Sequence, residues 1–445
     1  MQANRPTLLT LVGAAALAMV ALVSPVAQGL LWTAAALLAL AALLPAAWNF
    51  RVLLLFAATA MALVFSEIAL RLTVGDEWAT VHRLDERRLH ALIPGASKLF
   101  RHRPINGGGT VAIRINEAGY RGEPLRTDEA GLRVVVYGDS FVEAQYTALE
   151  ATFVQRLGQQ LSRIRAQSVE VINAGVQAYG PDQIGLAMEE QLPQLHPDLV
   201  VVVLYAGNDF GDLLRNKLYR LTADGMLESL TPTVGASLRS YFDQARATPI
   251  VYKVVDRAWR RMRAALARRF RSGNTLPVEH PVERWSRERQ HEFAEWMIPG
   301  DAVVSDLFGD TWDADVALTP DAVSAVYKAR LMDAVLGHIA SISNASDVPL
   351  LVVIVPAPID ACPDWEYAQV DPAVYPDYRR RALTDALAGI AERRGIPHVN
   401  LFEPFRERGA SVYLRGADDH WNDEGQALAA RIVGAYLSEA GLLDR

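Results

Sequence analysis

Ser140, Gly175, Asn208, Asp418 and His420 are the residues of this chain whose types could do chemistry together, and that chemistry is acyl transfer. A serine hydroxyl becomes a useful nucleophile when an imidazole takes its proton. A carboxylate beside the imidazole sets its tautomer and stabilises the charge it acquires. Main-chain N–H groups and a carboxamide can hold the oxyanion of the tetrahedral intermediate. On that scheme Ser140 is the nucleophile, His420 the base and Asp418 its acid partner. The oxyanion donors are the N–H groups of Ser140 and Gly175 and the side chain of Asn208. Taken one at a time, each has a plainer reading as a turn glycine, a capping residue or a helix-start histidine. Their joint placement, each beside the end of a regular element, favours the chemical one.

Those elements can be read from hydrophobic pattern. Val134 to Tyr137 is a β-branched run of the kind that makes a buried strand, and Gly138-Asp139 breaks it just before Ser140. Helix-forming sequence resumes from about Glu150. Val169 to Ile172, Leu199 to Leu204, Leu350 to Val355 and His398 to Leu401 read as further strands. Thr152 to Ile164, Pro181 to Leu195, Pro320 to Ile342, Tyr375 to Arg394 and Glu424 to Ala440 read as helices. Strands apolar on both faces, alternating with helices, predict a parallel doubly wound α/β sheet. In such a sheet the strand C-terminal ends open onto one edge, so residues distant in sequence converge there.

Gly138-Asp-Ser140, Gly175, Gly207-Asn-Asp209 and Asp418-Asp-His420 stand in the order of the blocks that name the SGNH (GDSL-type) serine hydrolases, and the chain resembles that family. The resemblance runs from about Arg133 to the C-terminus, apart from an insertion. It implies a flavodoxin-like three-layer α/β/α domain, with Ser140 as nucleophile, Gly175 and Asn208 completing the oxyanion hole and His420 as base. One feature departs from the family pattern. Many members carry the acid three residues before the histidine, where this chain has Ala417. Asp418, two before, looks like the Asp-x-His-Trp pattern of SGNH-like alginate O-acetyltransferases. Asp419 is expected to point away from the ring if that loop is extended.

Around this core the chain has other parts. Residues 1–72 hold three apolar runs, Leu8 to Val26, Leu30 to Trp48 and Val52 to Leu72, each near the ~20 residues that cross a bilayer as a helix. They predict three N-terminal transmembrane helices joined near Gln28-Gly29 and Asn49-Phe50-Arg51. Arg5 and Arg51 would share the cytoplasmic side of a bacterial inner membrane, leaving the rest periplasmic or extracellular. A cleaved signal peptide ending near Ala27 is the alternative for the first run. Either way the body is exported. Residues 73–130 read as a linker and small extension, and 131–445 as the hydrolase-like domain with an insertion at about 211–319.

Within the extension, Arg121 is expected to make a structural salt bridge or to hold an anionic substrate group. Within the insertion, Lys253 to Arg271 is basic with apolar residues interleaved. It reads as a solvated basic helix face or as an amphipathic helix on anionic lipid or polysaccharide. The first 72 residues hold three basic and one acidic side chain, so of totals of 44 and 51 the remainder keeps 41 and 50, about −9. That balance argues against nucleic acid as a partner. The single cysteine, Cys362, excludes an intrachain disulfide and a cysteine-based zinc site, and reads as a core or loop thiol. No cofactor or metal is called for. The expected function is ester hydrolysis through an acyl-serine, on O-acyl groups of an envelope or exported polysaccharide. Polysaccharide O-acetyl transfer, fed by a partner membrane acyl-donor protein, is one alternative, and a catalytically silent carbohydrate-binding scaffold another.

Overall fold

The computed structural model describes residues 5–23, 28–126, 131–270, 280–298, 300, 302–309, 312–416 and 418–444. Its contacts divide the chain into two compact units, Met1–Ala79 with Asp243–Thr275, and Thr80–Phe242 with Leu276–Arg445.

The first unit begins with α1 (Arg5–Val23), α2 (Gln28–Ala41) and α3 (Ala46–Val74). Proline cannot donate into a helix, and Pro45 stands at the N-cap of α3, ending the second apolar run early. Asn49-Phe50-Arg51, expected as a connector, therefore lies inside α3, where Arg51 sits 5.1 Å over the Trp48 ring. The 14 residues of α2 reach only about 21 Å, short of a hydrocarbon core of about 30 Å. The apolar stretch Ala46–Trp78, 33 residues, is long enough to cross. Among the described residues it is the only stretch of that length and hydropathy, so the three expected crossings are not shown. The Ala27 end point of a possible signal peptide lies outside the described residues.

The second unit opens with two hairpins. β1 (His82–Asp85) pairs antiparallel with β2 (Leu89–Leu92), and β3 (Ser97–Arg101) with β4 (Thr110–Arg114). Alternate residues of β4 are buried, as a half-exposed strand requires. The core follows as β5 (Leu132–Gly138), α4 (Ser140–Glu143), α5 (Phe153–Arg165), β6 (Val169–Gly175), α6 (Pro181–Leu195), β7 (Leu199–Tyr205) and α7 (Asp209–Asn216). Next come the short pair β8 (Tyr219–Leu221) and β9 (Leu227–Ser229), then β10 (Thr233–Val234), α8 (Ala236–Ala247) and α9 (Ile250–Phe270). The chain continues through α10 (Pro281–Trp296), β11 (Val303–Val304), which pairs with β10, and α11 (Ala314–Leu318). It closes with α12 (Val323–Ala345), β12 (Leu350–Val355), α13 (Pro358–Ala361), α14 (Ala382–Arg393), β13 (His398–Asn400), α15 (Phe402–Arg408) and α16 (Asp423–Ala440).

The apolar runs become one five-stranded sheet in the order β13-β12-β7-β5-β6, parallel throughout. Counted along the chain that is the flavodoxin-like order, and it reverses between β5 and β7. β7 and β12 are buried along their whole length, which is why they read as uninterrupted apolar runs. Helices pack in pairs, α5 with α16 and α6 with α12. Local chemistry starts them: Thr152 caps α5 by accepting from Gln155 N–H, and Asn422 caps α16 by accepting from Glu424 and Gly425. One expected helix is shorter than its pattern. Residues 375–381 are irregular and α14 starts at Ala382, because Tyr378 turns its hydroxyl to buried Asp360 (2.7 Å) and Arg380 reaches the carbonyls of Ile359 and Asp360.

A buried charge cluster ties the start of α11 to α12. Lys328 on α12 donates to Asp313 (3.0 Å) and Asp315 (2.8 Å), all three buried. Asp313 in turn accepts from Gly211 N–H (2.9 Å), and its own N–H donates to Gly207 O (2.7 Å), beside Asn208. Removing the cation takes from both buried carboxylates their hydrogen-bonded partner, leaving Asp313 only the charges of Arg289 and Arg215. Lys328→Met is therefore expected to destabilise the second unit by about 3–5 kcal/mol. Denaturant unfolding followed by circular dichroism would measure it.

Candidate active site

The switch point between β5 and β7 is where the candidate residues meet. Ser140 follows β5 as the first residue of the single-turn α4, with Asp139 as N-cap accepting from Phe141 N–H (2.9 Å). The helix thus begins at the serine itself, ten residues earlier than the sequence pattern suggests. His420 lies just before α16. Its Nε2 is 2.8 Å from Ser140 Oγ, and its Nδ1 is 2.8 Å from Asp418 Oδ1. In the neutral ring with the proton on Nδ1, that nitrogen donates to Asp418 and Nε2 accepts the serine hydroxyl. Asp418 Oδ1 also accepts from the His420 N–H (3.2 Å), so one oxygen holds both the ring and its backbone.

Asp419 does not point away, contrary to expectation. The loop folds into an Asx-type turn around Asp418 rather than extending. Asp419 Oδ1 therefore comes within 3.4 Å of His420 Nδ1, while Oδ2 accepts from the Tyr205 hydroxyl (2.7 Å). Asp418 remains the closer carboxylate and the one hydrogen-bonded to the ring. These three residues also offer ligand atoms within 4.8 Å of one another. The same atoms are committed to orienting the imidazole.

Electrostatics favour a charged ring. Burial alone would lower the His420 pKa, but the Asp418 hydrogen bond and the charges of Asp419, Asp418 and Asp139 outweigh it and raise it to about 9. For Asp418 burial works upward, and the His420 hydrogen bond and charge hold it below the ordinary carboxylate value. Asp139 and Asp209 are buried, and that burial is the chief cause pushing both above the ordinary carboxylate value. Packing fixes the ring as well: Phe141 stacks on it at 5.0 Å, tilted 22°, and the Tyr146 ring lies 4.7 Å away.

The oxyanion donors are less uniform. Ser140 N–H stands at the start of α4, and Asn208 at the N-cap of α7. Asn208 is buried, and its Oδ1 has no partner among the described residues. Gly175 lies at the end of β6. Its N–H donates to Asn173 Oδ1 (3.0 Å), while Asn173 Nδ2 donates to Val142 O (2.7 Å), tying β6 to α4. A Cβ on Gly175 would fall 2.4 Å from Glu143 N and 2.6 Å from Val142 Cβ. Gly175 lets β6 approach the nucleophile turn, and its N–H is already engaged.

Arg121 takes neither expected role. It is buried and donates to the backbone carbonyls of Glu143 and of Thr147, the latter at 2.6 Å, bracing the far end of α4. Burial lowers its pKa to about 10. Glu143 is held from the other side by His82 Nε2 (2.9 Å) and by Gln177 N–H (2.6 Å). Cys362 is buried, and burial pushes its thiol up to about 12, as suits an inert core residue.

Sequence pattern also missed a clamp on the histidine loop. Asn106, in the turn between β3 and β4, accepts from Arg415 N–H (2.8 Å) and donates to Arg415 O (3.2 Å). Arg103 adds a bond to Gly416 O (3.3 Å), and its charge helps to hold Asp418 ionised. Nothing local marks such a pairing; an Asn before three glycines reads only as a turn. Asn106→Ala should cost ~1 kcal/mol of positioning, about fivefold in kcat, with KM little changed. Steady-state kinetics, with Asn106→Asp keeping one of the two bonds, would check it.

No protein-family profile matches the chain, and no curated protein sequence does. Several solved structures are similar over much of its length. An alpha/beta hydrolase enzyme from the metagenome of Lake Arreo, Spain, is 13% identical, with a TM-score of 0.35, covering 71% of this chain and 98% of its own. A catalytic mutant of an acetylxylan esterase from Geobacillus stearothermophilus is 13% identical, TM-score 0.35, covering 71% and 97%. A psychrotrophic esterase from a Pseudoalteromonas species is 13% identical, TM-score 0.32, covering 71% and 100%. Likeness this distant decides nothing about the present chain, whose chemistry has to be read from its own side chains.

Proposed function

We propose that this chain is an SGNH-type serine esterase, anchored in a bacterial inner membrane by its apolar N-terminal helices, which removes short O-acyl groups from an envelope or exported glycan. One observation carries the chemistry: the unbroken hydrogen-bonded series Asp418–His420–Ser140, with both links at 2.8 Å. The glycan is favoured by the membrane-length stretch Ala46–Trp78 and by the Asp-x-His-Trp pattern around His420.

The steps follow from the positions. His420 Nε2 takes the Ser140 proton as Oγ attacks the ester carbonyl, and Asp418 stabilises the imidazolium. The oxyanion is met by Ser140 N–H and the Asn208 carboxamide. Collapse expels the sugar hydroxyl, which takes its proton from His420 and leaves an acyl-Ser140 ester. Water, deprotonated by His420, attacks that ester, and the acid and free serine are regenerated.

The test uses the full chain in detergent with an O-acetylated polysaccharide and a free glycan acceptor, beside a Ser140→Ala control. Free acetate is expected from the active protein only. Equal acetate release by both proteins would overturn the reading, and acetyl appearing on the acceptor in place of free acid would replace hydrolysis with transfer.

A further inference from the structure

α9 carries its charge and its apolar surface on opposite sides. At 100° per residue, Tyr252, Val254, Val255, Trp259, Met262 and Leu266 fall within about 160° of arc. Lys253, Asp256, Arg257, Arg260, Arg261 and Arg263 fill the rest. The apolar side is open rather than covered: Val255 is 63% exposed and Trp259 54%. An open apolar stripe flanked by arginines is the composition of a helix that seats in a lipid interface.

Its location within the first unit points the same way. Val251 N–H, in the first turn of α9, donates to Glu67 Oε2 (3.0 Å), and Arg257 lies 4.2 Å over the Trp78 ring. Glu67 is about 30 Å along α3 from Ala46, one hydrocarbon thickness from the start of the membrane-length stretch. An acidic residue in an otherwise apolar helix is costly in lipid unless it has a partner or reaches the interface. Arg71 on α3 pairs with one carboxylate oxygen (2.7 Å), and the start of α9 takes up the other. α9 therefore departs from α3 at the level where lipid headgroups begin.

On the anchoring half of the function above, though not on its chemistry, we propose that α9 is an interfacial helix that binds anionic phospholipid headgroups through its arginine face while Val255, Trp259, Met262 and Leu266 enter the acyl boundary. The excess of arginine sets the preference for anionic over zwitterionic lipid. Arg271, which ends the basic stretch, lies outside the described residues.

The test is made on the full chain with Cys362→Ala and Leu266→Cys, the new thiol carrying an environment-sensitive fluorophore. The protein is reconstituted into vesicles of phosphatidylcholine alone or mixed with phosphatidylglycerol. A several-fold rise in emission, with a blue shift and quenching by shallow spin-labelled lipid, is expected only with phosphatidylglycerol. The triple change Arg260→Glu, Arg261→Glu and Arg263→Glu should abolish the rise while circular dichroism and ester turnover are kept. A probe that stays open to iodide in both vesicles would overturn the proposal, as would an equal response in the triple variant. A response to a dissolved anionic polysaccharide but not to vesicles would overturn it in favour of a glycan partner. Should the chain fail to float with either vesicle, the anchoring reading falls with it; floating without a probe response sinks the α9 proposal alone.

Discussion

Ser140→Ala and His420→Ala are each expected to lower kcat on an activated ester by about a millionfold, and the double variant by no more than either alone. The non-additivity is the informative part. The Ser140 hydroxyl has value only while His420 Nε2, 2.8 Å away, can receive its proton. Once either is gone the other has nothing to act with. A residual rate about 10³–10⁴ above water should survive, supplied by the oxyanion donors and substrate binding. Asn208→Ala should cut into that residue as well as into the parent rate. Folding should be preserved, since neither triad side chain supports the sheet. Steady-state kinetics of the four variants, with circular dichroism beside them, would check the set.

Asp418→Asn is expected to lower kcat by about 10⁴, because an amide can present its N–H to Nδ1 and so favours the wrong tautomer. It should also move the pH profile. His420 must be neutral to act as base, and its pKa is raised to about 9, so kcat/KM of the parent enzyme should climb through the alkaline range. Removing the Asp418 hydrogen bond takes away the largest upward contribution and shifts that limb towards the ordinary histidine value near 6.5. Stability follows the same linkage. The folded state prefers charged His420, so this stabilisation is fully present below about 6.5 and is lost as pH rises through about 9. The Asp418 pKa is lowered, so its contribution is present above the ordinary value of 3.8 and is lost as pH falls through the lower folded value. Between those limits both groups are charged and the pair is at its strongest. Asp419 sits 3.4 Å from the same nitrogen, so Asp418→Asn should retain more activity than Asp418→Asn with Asp419→Asn.

What could be read in advance follows the range over which each signal acts. The meeting of Ser140 and His420 was legible because buried strands announce themselves as apolar runs and a parallel sheet sends their ends to one edge. The flavodoxin-like strand order, expected from the family resemblance, is the order observed. Four-residue α4 escaped because one turn is too short to show a period. The α2–α3 boundary was misplaced because hydropathy alone joined what Pro45 separates, although the proline was in plain sight. Gly175 was read by residue type, and only coordinates reveal that Asn173 has already taken its N–H. The Asn106 clamp on Arg415 and the His82 bond to Glu143 join segments distant in sequence, and no local pattern encodes them. The outward-turned Asp419 assumed an extended loop; a side-chain hydrogen bond two residues long bent it instead.

Treating the full chain with a fluorophosphonate and mapping the adduct by peptide mass spectrometry is the most direct trial of the relay. An activated hydroxyl at Ser140 should be labelled stoichiometrically, faster as pH rises towards 9, and labelling should vanish in His420→Ala with the serine still in place. Adduct on another residue, or an equal rate of labelling at Ser140 without the histidine, would mean that the imidazole does not activate this hydroxyl.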